Sequence, residues 1–154
     1  MAATARLELA RLDPAAELAR FLEGRSADGA VVSFTGLVRA SSKVGDPVDA
    51  IELDWYTGLT ERTLDEIAEE TLSRFGVSDI LVVHRCGKVD AGEPVLFAAA
   101  AAAHRRDAFL AADYLMDRLK TGAAFWKRED GPDGGRWIEP TSEDQAALKR
   151  WEKS

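Results

Sequence analysis

The sequence predicts an α+β fold, with mixed sheets and packed helices in a single domain spanning residues 1–154. Three observations lead there. Short runs rich in β-branched and aromatic residues, such as GAVVSFTGLVR (29–39), read as buried strands. Elsewhere residues recur at helical spacing, as Leu64, Ile67, Ala68, Thr71, Leu72 and Phe75 do on one face. The two kinds of element do not follow the strict βαβ alternation of a doubly wound sheet.

Each element has its own justification. Residues 6–12 alternate, with Leu7 and Leu9 in phase, and predict a short strand. Asp13-Pro14 supplies an N-cap and a first-turn proline for a helix ending near Gly24. After the strand 29–39, the polar stretch ASSKVGDP (40–47) reads as a mobile loop. VDAIELDWY (48–56) alternates, but Val48 and Ala50 occupy one phase and Ile51, Leu53 and Trp55 the other, which predicts a bulge. A helix runs from Thr60 to Phe75 with Gly76 as its C′ residue.

DILVVHRC (79–86) is a strand and GKVDAGEP a turn into the next one. The alanine run 98–103 has helical propensity, yet the preceding hairpin and Val95-Leu96-Phe97 assign a strand through about residue 102. The helix after it presents Ala108, Phe109, Ala112, Leu115, Met116 and Leu119 as an apolar stripe and stops at Thr121-Gly122. AAFWKRE is a strand, DGPDGG a turn and RWIEP a strand, and Ser142 to Gln145 form a capping box opening a last short helix.

Composition narrows the chemistry. Hydrophobic content of 46% and charged content of 31% are ordinary for a globular domain of 154 residues. No apolar run approaches the roughly 18 residues of a membrane span, and the alanine-rich start lacks a signal-peptide core, so a cytoplasmic protein is expected. The single cysteine, Cys86, excludes an intrachain disulfide and a Cys-rich metal site. The two histidines, His84 and His104, have no carboxylates at zinc-site spacing. There is no Walker sequence, GxGxxG or GxSxG, and no cofactor is expected. Chemistry must rest on lysine, arginine and histidine, or on something a partner brings.

The cations are concentrated. Residues 104–128 hold six Lys and Arg against three Asp and Glu, a local +3 in a chain of net charge −7. A cationic island in an acidic protein fits an anionic small ligand better than nucleic acid, which usually leaves a basic imprint on the whole domain.

Lys120 sits in a last helical turn, where a lysine complements the dipole for a few tenths of a kcal/mol and need do nothing else. Lys127 shares a strand face with Phe125, while Trp126 points the other way. A lysine in that setting is partly desolvated, which lowers its pKa and makes it a usable acid, base or nucleophile. His104-Arg105 opens a helix and Arg39 ends a strand, which is commonplace for each alone, though strand ends facing loops are where ligand-binding side chains gather. Cys86 reads as structural, and His84 as a satisfied core histidine.

GAVVSFTGLVR, LDWYTGLTERTLDEI, VVHRCGKVDAGE, AHRRDAF and above all YLMDRLKTGAAFWKRE with RWIEP resemble the family of molybdopterin synthase large, catalytic subunits. The similarity covers roughly residues 29–140. It implies an α/β hammerhead fold and a central homodimer. Each chain would bind a small ubiquitin-like sulfur-carrier subunit whose Gly-Gly C-terminus carries a thiocarboxylate, giving a heterotetramer. The implied reaction inserts two sulfurs into cyclic pyranopterin monophosphate to make the molybdopterin dithiolene. By the same resemblance Lys120 and Lys127 are the catalytic lysines, and Arg39, His104 and Arg105 hold the substrate, its cyclic phosphate especially. Leu37, Val38, Arg128 and Glu129 complete the implied pocket. The family does not require a cysteine at Cys86, and the alanine run is unusually small for its strand.

The rival reading is a non-catalytic regulatory module that binds a phosphopterin or a peptide tail. Loss of either lysine would favour it, and both are present. Helix geometry adds one expectation. His104 and Lys120 are sixteen positions apart, about 24 Å along one helix at 1.5 Å per residue. If both contact one small substrate, they must come from different chains of a two-fold dimer.

Overall fold

The computed structural model describes residues 1–153. The elements are β1 (Ala2–Glu8), α1 (Pro14–Leu22), β2 (Ala30–Leu37), β3 (Ala50–Trp55), α2 (Leu59–Arg74), β4 (Val77–Arg85) and β5 (Gly87–Asp90). They continue with β6 (Pro94–Ala102), α3 (Arg105–Gly122), β7 (Phe125–Gly131), β8 (Gly134–Ile138), α4 (Ser142–Lys149) and a closing 3-10 turn (Arg150–Lys153). The strands form two four-stranded sheets, ordered β1-β4-β6-β2 and β5-β3-β7-β8. β1 lies parallel to β4, and the other pairings between these strands are antiparallel. The α+β expectation is met.

The alanine run explains how the first sheet is covered. β6 lies between β4 and β2. Ala98, Ala100 and Ala102 turn toward α2 and α3, against Leu64, Ile67 and Leu115. Phe97, Ala99 and Ala101 turn the other way, against Leu12 and Phe21 at α1. Ala99 to Ala102 are each 0% exposed, so both faces of the strand are sealed. Small side chains let helices close on both faces at native packing density, and this tertiary demand overrides alanine's helical propensity.

Several local expectations are corrected. The first strand runs from Ala2 to Glu8, not from residue 6 to 12, because the small residues Ala2, Ala3 and Thr4 already pair with Asp79 to Leu81 of β4. β3 holds unbroken register with β7, and the irregularity lies instead between Gly36 and Leu37 of β2. Ala50 and Leu53 are buried on opposite faces of β3, so its phase change records covering on both sides rather than a bulge. Gly87–Asp90 is a polar edge strand on β3, leaving the turn only at 91–93.

Gly76 is not among the glycines with positive φ. A Cβ there would lie 3.3 Å from the Asp107 carboxylate, so the glycine provides clearance. Phe109 is 62% exposed, and Ala111 and Tyr114 take its place on the buried face of α3. The last capping box is set one residue earlier. Thr141 is the N-cap, its Oγ1 accepting the Asp144 N–H at 3.1 Å while the Asp144 carboxylate accepts the Thr141 N–H at 3.0 Å.

The 40–47 loop closes on itself. Ser42 N–H donates to the Asp46 carbonyl (2.8 Å), and Asp46 N–H to Ser42 Oγ (3.1 Å). It lies so close to β7 that a Cβ on Gly131 would come within 2.3 Å of the Pro47 carbonyl oxygen. Lys43 stands in this turn. No helix among the described residues is long and apolar enough to cross a membrane.

Candidate active site

α3 leaves the end of β6 and runs back across the first sheet, so its last turn arrives where β4 ends and β6 begins. His84 pairs with Leu96 at that level. β7 starts at the same place, its Phe125 packed with the helical core. Lys120 from α3 and Lys127 from β7 therefore line one cavity of about 100 Å³. Lys43 of the 40–47 turn, His84, Thr141 and Asp144 line it with them.

Lys127 is paired across the second sheet with Leu53 and Ile138. As expected, it shares a face with Phe125, and Trp126 is exposed on the opposite face, edge-on to Trp137 at 6.1 Å. Burial of the ammonium, and after it the Lys120 charge, bring the Lys127 pKa down to about 8 against the opposing pull of Asp144. Burial would raise Asp144, but the Thr141 N–H and hydroxyl hold it below the usual carboxylate value, helped by Lys120 and Lys43. Lys43 Nζ lies 3.5 Å from Thr141 Oγ1. The cavity is thus a recess of three lysines balanced by two carboxylates, Glu139 and Asp144.

The other residues named from the sequence do not line this cavity within one chain. Leu37, Val38 and Arg39 follow the irregularity of β2. Leu37 and Arg39 are exposed, and Val38 is buried against Leu53 and Val89. Arg128 faces away from Lys127, bonding Asp130 at 2.8 Å with its guanidinium over Trp137. Glu129 shares Lys127's face but lines a separate cavity of about 150 Å³, 3.7 Å from Arg136. His104 and Arg105 are exposed at the far end of α3, where His104 is the N-cap residue but its side chain makes no capping bond.

Cys86 is buried and its thiol pKa is raised, chiefly by that burial, which makes it a poor nucleophile. Among the described residues no group of three His, Cys, Asp or Glu could hold a metal ion.

A family model described as MoaE protein matches residues 7–122. The chain belongs to the MoaE protein family. A molybdopterin synthase catalytic subunit of Caulobacter vibrioides is 46% identical over 141 residues, 92% of each chain. One from Escherichia coli K12 is 46% identical over 131 residues, 85% of this chain and 87% of its own. A solved MoaE structure from Burkholderia ambifaria superposes with a TM-score of 0.81 at 41% identity, covering 98% and 99% of the two chains. The resemblance read from the motifs is met, and with it the enzymatic reading of this MoaE chain.

Lys43, His84 and Asp144 were not foreseen in the site. A signal existed for His84: it shares strand parity with Ile80 and Val82, which face α2 and α3. Lys43 lies in a loop and Asp144 after a turn, and neither place has a periodicity to read.

Proposed function

We propose that this MoaE chain is the catalytic subunit of a molybdopterin synthase, moving sulfur from a thiocarboxylated partner to cyclic pyranopterin monophosphate. The observation that carries the reading is the pairing of Lys120 with Lys127 in one recess, with the Lys127 pKa brought to about 8. A lysine there exchanges protons near neutral pH, and fixed cations beside it offset charge as the thiocarboxylate sulfur attacks the pterin. A module that only binds has no need of a lysine tuned this way. The buried, poorly reactive Cys86 is consistent with sulfur arriving on a partner. That partner is a small ubiquitin-like subunit whose Gly-Gly tail ends in the lysine recess.

The site is shared between two copies of the chain. α3 is one unbroken helix, so His104 and Lys120 stand about 24 Å apart along it. The cavity of about 100 Å³ is also smaller than the roughly 300 Å³ and upward usual for ligand sites. A second copy supplies His104 and Arg105 for the cyclic phosphate, and Arg39, Leu37, Val38, Arg128 and Glu129 belong to the enlarged pocket. Two such chains and two small subunits make a heterotetramer, working in the cytoplasm.

The test is incubation with a thiocarboxylated small subunit and cyclic pyranopterin monophosphate, assayed for the dithiolene product. Dithiolene appears only when both are present. Absence of product with a competent partner contradicts the reading.

A further inference from the structure

The lysine cavity contains an imidazole that sulfur transfer, as described, leaves without a role. His84 projects from β4 toward α3, and its ring stacks on Phe125 with centroids 4.4 Å apart and planes at 28°. Its Nδ1 lies 2.7 Å from the Arg85 carbonyl oxygen. A carbonyl only accepts, so Nδ1 carries the proton and donates, which leaves the neutral ring a lone pair on Nε2. Among the described residues the sealed side-chain nitrogens without a partner are Arg85 Nε and Nη1, and His84 Nε2 is not one of them. With its only hydrogen bond at Nδ1, Nε2 therefore opens on the space that His84 lines, which is the cavity of Lys120 and Lys127. Lys127 follows Phe125 by two positions on the same strand face, about 7 Å along the strand, so its stem rises beside the stacked ring.

We propose that His84 is a positioning residue for Lys127: its Nε2, unbonded in this structure, accepts a hydrogen bond from the Lys127 amine as that side chain turns within the cavity both residues line. In the ammonium form this bond aims the remaining protons into the cavity. In the neutral amine it takes one N–H and leaves the nitrogen lone pair directed away from the imidazole, toward the substrate. An acceptor there must stay uncharged. Burial first, then the Lys127 charge, hold the His84 pKa at about 4 against the Arg85 carbonyl, so the ring is neutral at working pH. The other charged groups facing this space are Lys120 from α3, Lys43 from the 40–47 turn, Glu139 after β8 and Asp144 from α4. The kinetic part of this inference rests on the synthase reading, and the hydrogen bond itself does not.

Three variants separate the roles of the ring. His84→Phe keeps the stack on Phe125 and deletes the acceptor. His84→Gln keeps an acceptor near the Nε2 position. His84→Asn can hold the Arg85 carbonyl but cannot reach Lys127. The first measurement is the pH dependence of Lys127 labelling by an amine-selective reagent, read by mass spectrometry on the purified chain. The wild-type midpoint lies near 8. Losing an acceptor that favours the ammonium lowers it by about half a pH unit or more in the Phe and Asn variants, while Gln stays close to wild type. The second measurement is turnover with the thiocarboxylated partner. kcat falls about tenfold in Phe and Asn with KM little changed, and Gln recovers most of it.

Unchanged labelling in the Phe and Asn variants overturns the hydrogen bond, and unchanged kcat overturns its role. If the wild-type chain shows no turnover, the synthase reading fails and the labelling alone decides the bond. Should Phe fail to fold, Asn against Gln gives the same decision.

Discussion

The two ends of α3 carry the same sign of charge in opposite settings. At its start, Arg105 and Arg106 are exposed within the first turn, where the helix dipole is already positive and each cation costs a few tenths of a kcal/mol. At its end, Lys120 sits where the dipole welcomes a cation, and it lines a cavity with Lys127. The first placement works against stability and so points to a task. The second is what stability alone would choose, so its task is visible only once β7 brings a second lysine beside it. Between Arg105 and Lys120 lies about 22 Å of helix, more than one small substrate can span.

The largest effects fall at the lysine end. Lys127→Ala and Lys120→Ala each lower sulfur transfer by about 100-fold or more at saturating partner, with circular dichroism unchanged. Turnover within a few-fold of wild type in either variant removes that lysine from the reaction. The arginine end acts through binding. His104→Ala/Arg105→Ala raises the KM for the cyclic pterin by about tenfold through lost contacts to its phosphate and leaves thermal stability the same or slightly higher. A lower melting temperature without any change in KM would assign this end to structure instead.

Stability sharpens the contrast further. The folded pKa of Lys127, about 8, lies below its ordinary 10.5. The folded chain therefore gives up this proton before the unfolded chain does. The penalty is full below pH 8 and fades between pH 8 and 10.5. Lys127→Met removes it, raising stability at pH 7 by about 1 kcal/mol and the melting temperature by a few degrees, with the gain shrinking as pH approaches 10. A variant less stable than wild type at pH 7 contradicts the desolvated lysine. The smallest effect belongs to Cys86→Ser, which keeps turnover within about twofold because the buried thiol does not carry the sulfur.

Periodicity read the elements whose two faces differ, such as α2 and α3, and it failed where they do not. β5 is a polar edge strand that resembles a turn, and β1 begins in residues too small to show a phase. β6 was legible despite its alanines because Val95 to Phe97 precede them and a hairpin leads in. In the site, Lys127 was readable from strand alternation alone, since sharing a face with Phe125 implies burial. His84 was read as a core histidine, which describes its burial and its bond to the Arg85 carbonyl but misses the cavity it borders. Lys43 and Asp144 reach the cavity by tertiary folding of a loop and a terminal helix, and local pattern carries no trace of that.

If the two ends of α3 serve one substrate, they do so from two chains. Mixing a Lys120→Ala chain with a His104→Ala/Arg105→Ala chain under subunit exchange tests this directly. Random pairing puts about half the chains' dimers in mixed form, each with one intact pocket of two, so a shared site restores roughly a quarter of wild-type activity. If all these residues act within one chain, every pocket in the mixture stays defective. No recovery, with exchange demonstrated by mass spectrometry, contradicts the shared site.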